Sequence, residues 1–137
     1  MVFTHDTEVA LAAAAALVNT APNPDTGDAE ELADVEDLDR FVRTWGWTGS
    51  RHRDEAELAA VHALRPRLRP IWDADVDGVV EIVNGLLREF QALPQLVKHD
   101  EWDYHLHATR PDAPLAARMA VEAAMALVDL VRAGELE

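Results

Sequence analysis

The sequence predicts a mainly α-helical (α+β) single domain of about five helices with one β-hairpin just before the C-terminal helix. Three observations carry that prediction. Apolar residues recur at three- and four-residue spacing in five separate stretches. Proline or glycine closes each stretch. Strict alternation is confined to QLVKH and WDYHLHA, just before the last apolar run. At 137 residues, 49% apolar and 28% charged, the chain has the size and balance of one globular unit spanning 1–137.

The elements follow in order. Val9, Ala12, Ala13, Ala16 and Leu17 share one helical face after Asp6, the expected cap. Pro22 and Pro24 force an end near Asn19 and Thr20. Asp34 is placed to cap a second helix, with Leu38, Phe41, Val42 and Trp45 inward and Gly46 as its stop. A third helix starts near Asp54 and puts Leu58, Val61, Leu64, Leu68, Ile71 and Trp72 on one stripe. Pro66 and Pro70 predict a kink or break near Arg65. The fourth, capped by Asp75, carries Val76, Val79, Val80, Val83, Leu86, Leu87 and Phe90, and Pro94 follows it.

The hairpin is expected over about 95–109. A two-residue turn at Asp100-Glu101 would set Lys98 opposite Asp103. Alternation places Trp102, Tyr104, Leu106 and Ala108 on one face and Asp103, His105, His107 and Thr109 on the other. The last helix, about 112–133, is expected to start at Asp112 as cap, with Pro114 in its first turn, and to stop at Gly134. Its charges, Arg118, Glu122, Asp129 and Arg132, form a narrow stripe on an otherwise apolar helix, so it should lie at the centre of the bundle.

Charge narrows the function. The formal net charge is −14, and the first 39 residues hold ten acidic and no basic residues. Nucleic acid and anionic membranes bind clustered Lys and Arg, so direct contact of this segment with either is not expected. There is no cysteine, which removes disulfides, thiolate metal sites and cysteine nucleophiles. The Val9–Val18 run is too short to span a bilayer and lacks a basic leader, so a cytoplasmic protein is expected.

In order along the chain, ALVNT (16–20), EELADVEDLDRFVRTWG (30–46), AELAAVHALRPRL (56–68), VNGLLREFQALPQLV (83–97), WDYHLHAT (102–109) and DAPLAARMAVEAAMALVDLVRAGELE (112–137) form a recognisable series. In these segments the chain resembles the ABATE domain, the N-terminal region of CGNR zinc-finger stress-induced transcription regulators of bacteria. The resemblance implies a helical regulatory domain followed by a cysteine-rich, zinc-binding, DNA-contacting module. These 137 residues hold no cysteine, so that module, with its zinc and DNA contact, is expected either beyond this segment or not in this member. No cofactor is therefore expected here.

Site candidates are few. His105 and His107, two apart on a strand, face one way together with Asp103, a set able to hold a divalent metal; the plainer reading is a solvated edge. His62 and His99 are possible further ligands. Asn19 and Thr20 either cap a turn through side-chain hydrogen bonds or present polar groups to a pocket. Arg65, beside Pro66 with Arg67 and Arg69, either forks two bonds to an anionic ligand or neutralises the acidic N-terminal third. The four tryptophans anchor the core, with Trp102 the first choice for a pocket wall.

The preferred reading is a sensor or regulatory domain, not an enzyme. It would bind a small molecule or protein partner between hairpin and helices, near Asn19, Thr20, Arg65, Trp102, His105 and His107. The alternatives are a metal-dependent enzyme using Asp103, His105 and His107, and a helical interaction module that forms a homodimer.

Overall fold

The computed structural model describes residues 5–98, 104–110 and 112–134, with backbone alone for 5–6, 97–98 and 104–107. It is a single mainly α-helical domain. The helices α1 (His5–Asn19), α2 (Val35–Trp45), α3 (Glu55–Leu68) and α4 (Val76–Glu89) precede β1 (Gln95–Lys98), β2 (Tyr104–His107) and α5 (Leu115–Ala133). A short 3-10 helix, Arg69–Trp72, extends α3.

Side-chain caps set three helix starts. Asp34, Asp54 and Asp75 have extended backbone, and each carboxylate accepts the N–H three residues on, from Asp37, Glu57 and Gly78 at 2.8 Å. Gly46 and Gly134 end α2 and α5 in the left-handed conformation, at φ 71° and 73°. Two expected caps are displaced. α1 already includes Asp6, and α5 begins at Leu115 after Pro114 while the Asp112 carboxylate accepts from Arg110 instead.

The break expected near Arg65 is not there. α3 runs through Pro66 to Leu68 and only then tightens into the 3-10 turn that holds Pro70. A helical proline costs about 3 kcal/mol. Leu58, Val61, Leu64 and Leu68 are all buried along α3, at roughly 1.5–3 kcal/mol apiece, so core burial outweighs that cost.

α5 lies at the centre, packed on α1, α4 and α3. Its buried face is largely small: Ala116, Ala120, Ala123 and Ala124 join Leu115, Met119 and Leu127 in the core. Leu17 of α1, Leu38 of α2, Val61 of α3 and Val79 and Leu86 of α4 close around it. Arg118 does not sit on a solvated stripe, because its side chain is only 4% exposed. Trp72 is no core anchor either, at 49% exposed; Trp45 and Trp47 are half-buried.

The strands pair antiparallel with Gln95 opposite His107, Leu96 opposite Leu106, Val97 opposite His105 and Lys98 opposite Tyr104. This register leaves five residues between the strands, so Lys98 does not face Asp103 and the connection is longer than a two-residue turn. Just before β1 the N–H of Leu93 donates to Ala108 O at 2.9 Å and closes the open end of the hairpin. Among the described residues, each strand packs mainly on the other and not on the helices, and Leu93 and Leu96 stand exposed.

Candidate functional site

The C-terminus of α1, the middle of α3 and the irregular 21–34 segment meet at one polar node. Thr20 follows the last residue of α1. Its hydroxyl donates to Leu17 O at 2.6 Å, so the side chain first serves to finish the helix. The turn beyond it is fixed by Gly27 at φ 77° and an Asn23–Asp28 bridge, and Glu31 N–H returns to Thr20 O at 2.9 Å. That return brings the Glu30 carboxylate to α3.

Arg65, 6% exposed, receives it. Its Nη1 donates to Glu30 Oε2 at 2.6 Å and to Thr20 Oγ1 at 3.1 Å, and its Nη2 donates to Glu30 Oε1 at 2.5 Å. This is the two-pronged geometry in which a guanidinium binds a carboxylate most firmly. Leu32 N–H adds a third donor to Oε2 at 3.1 Å. His62, one turn before Arg65 on the same face of α3, lies 3.5 Å from Oε1 and bonds Leu32 O at 2.7 Å. The Arg65 hydrogen bonds hold the Glu30 carboxyl down at about 2, against a lesser upward push from burial. Arg65 Nε is buried without a hydrogen-bond partner among the described residues.

A second buried arginine sits on α5. Arg118 donates from Nε to Ala113 O at 2.9 Å and from its two other nitrogens to Thr48 O and Ser50 O. Burial pushes its pKa down, and Glu57 opposes that. Beside it Arg51 Nε donates to Glu57 Oε1 at 2.7 Å, and its Nη2 approaches Asp39 Oδ1 at 3.0 Å without hydrogen-bond alignment. Asp39 is bonded from Arg53 as well, which lowers its pKa. An open cleft of about 320 Å³ adjoins this cluster, walled by His52, Asp54, Glu57, Pro114 and Ala116 among others. A small, partly open gap of about 10 Å³, the size of one water, lies between Ala10, Leu17, Phe41, Trp47 and Met119.

Of the residues singled out from sequence, the structure brings Thr20 and Arg65 into contact. Asn19, their neighbour, points to solvent. His105 and His107 lie on β2, their side chains beyond what is described, while Trp102 and Asp103 fall outside the described residues. Among the described residues, no hairpin side chain walls either cavity. Among the described residues no three His, Asp or Glu side chains gather to hold a metal. No helix among them is long and apolar enough to cross a membrane. Arg67 and Arg69 pair with Glu89 and Asp73, so of the three arginines only Arg65 meets the acidic N-terminal third. Glu30 and Arg118 were not expected at a site. Glu30 carries no sequence signal, since its partner is 35 residues away across a loop. Arg118 had one: a lone cation near the start of an apolar helix.

Over residues 11–134 the sequence matches the ABATE family, described as "Putative stress-induced transcription regulator". The chain belongs to that family. No curated protein matches it. The ABATE description is that of a transcription regulator.

Proposed function

We propose that the chain is the sensor domain of a bacterial, cytoplasmic transcription regulator, binding a small molecule at the Thr20–Glu30–His62–Arg65 node. Its output would pass through α5 to a zinc-binding, DNA-contacting module attached beyond it. One observation carries this reading: a buried guanidinium holds, by side-chain bonds, a carboxylate borne on a segment with no regular structure. A clasp whose carboxylate can be replaced by a competing anion is an element that a ligand-driven population shift can bias. α1 and α3 carry the clasp and both pack directly on α5, so a change at Glu30 has a short mechanical route to the C-terminal end.

The test pairs a thermal-shift screen of metabolites on the whole chain with reporter expression from a target promoter in cells carrying the full regulator. A stabilising compound whose effect disappears in Arg65→Met, with matching loss of promoter response, is the expected result. Promoter control unchanged in Arg65→Met would end the proposal.

A further inference from the structure

Four groups converge on the Glu30 carboxylate: both terminal nitrogens of Arg65, the Leu32 N–H and the His62 ring. Thr20 Oγ1 stands beside them on Arg65 Nη1. All but Glu30 itself belong to helices, the end of a helix, or a residue (Leu32) that is 98% buried. The guanidinium and imidazole side of the seat is thus built on α3, while Glu30 and the buried Leu32 both come from the irregular segment. The Glu30 side chain is 26% exposed, against 7% for Arg65, so solvent reaches the seat from the carboxylate's side. One guanidinium donor, Nε, remains unused in the interior.

We infer that this is an oxyanion-binding seat occupied by the chain's own Glu30, and that a carboxylate- or phosphate-bearing small molecule takes its place on the Arg65 guanidinium and the Leu32 N–H. The inference rests on the sensor reading and supplies its ligand class. A tethered carboxylate competes at an effective concentration on the order of millimolar, so a free anion binds the intact chain weakly unless it makes further contacts. Displacing Glu30 releases its side chain from α3, while the Glu31 N–H bond to Thr20 O and the His62 bond to Leu32 O still hold the far end of the loop.

The experiment titrates acetate and, separately, inorganic phosphate into the whole chain at constant ionic strength, with sodium chloride as control. Wild type, Glu30→Ala, Glu30→Gln and Glu30→Ala/Arg65→Met are compared. In Glu30→Ala the vacated seat accepts acetate. At ten times its dissociation constant the melting midpoint should rise by roughly 4 °C above the chloride control. The same acetate should move wild type by less than about 1 °C, by the competition argued above, and the double variant not at all. Should Glu30→Ala not fold, Glu30→Gln carries the test, because its neutral amide yields to phosphate more readily than the native carboxylate. Phosphate acting where acetate does not assigns the seat to phosphoryl groups; the reverse assigns it to carboxylates. If neither anion raises either single variant above chloride, the inference is overturned. A neutral compound that stabilises wild type and fails on Arg65→Met would sink this inference and leave the sensor reading intact. Anion binding at the seat with unaltered promoter control would do the opposite.

Discussion

Arg65 and Arg118 are both buried cations, yet they do different work because their partners differ. Arg118 spends all three of its donor nitrogens on main-chain carbonyls, at 48, 50 and 113. Those oxygens cannot leave without moving the backbone, so the guanidinium ties the 46–53 connection and the lead into α5 to the core as a permanent fixture. Arg65 bonds two side chains, one of them on a loop. A side chain can rotate away and a competing ion can replace it. The contrast shows that the partner's mobility, more than the burial of the charge, separates a structural tie from a candidate switch.

Three perturbations probe that contrast. The largest effect is expected for Arg118→Met. It leaves three carbonyls without their donors, with a loss of about 3 kcal/mol, read as a lower urea midpoint at unchanged slope. An effect under about 1 kcal/mol would mean that water replaces the guanidinium freely and that Arg118 is no tie.

Arg65→Met comes next, at about 2 kcal/mol, and it carries a pH signature that Arg118→Met lacks. The Glu30 carboxyl sits near 2 in the folded chain against 4.5 for the free group. The folded state therefore binds fewer protons, and this contribution is fully present above pH 4.5 and lost as pH falls towards 2. Urea midpoints measured from pH 6 to pH 2.5 should fall more steeply for wild type than for Arg65→Met. Asp39 is also held down, chiefly by Arg53, so Asp39→Asn should be run alongside to remove its share. Parallel wild-type and Arg65→Met curves would show that the Glu30 clasp contributes nothing.

Gly46→Ala should have the smallest effect. A Cβ meets nothing within 4 Å there, but φ is 71°, so the cost is conformational and about 1 kcal/mol. Gly46 starts the return of the chain to Thr48 and Ser50, so this variant coupled with Arg118→Met in a double-mutant cycle should be non-additive. Additive losses would separate the turn from the tie.

Much of the architecture was legible before any coordinates. Asp34 and Asp75 as caps, a helix start near Asp54, Gly46 and Gly134 as stops, and a central apolar last helix are local signals, each readable within a few residues. The departures lie where packing competes with local preference. Pro66 stays helical because burial along α3 outweighs the missing hydrogen bond. Trp72 is left outside because the 3-10 turn rotates it off the α3 stripe. Arg118 is drawn inside because loop carbonyls need donors. At the node, Thr20 and Arg65 stood out as polar residues beside helix breaks, whereas Glu30 was one of ten acids in a row of similar residues and nothing local distinguished it.

By itself, then, the sequence determined which stretches are helical, where they start and stop, and that the chain belongs among acidic, cysteine-free helical domains, since periodicity and capping act over one or two turns. Only the tertiary structure decided which carboxylate meets Arg65 and which carbonyls meet Arg118. The pairings with Glu30, Thr48 and Ser50 join residues 35 and about 70 positions apart, and a charge chooses its partner by distance in space, which the chain's order does not encode.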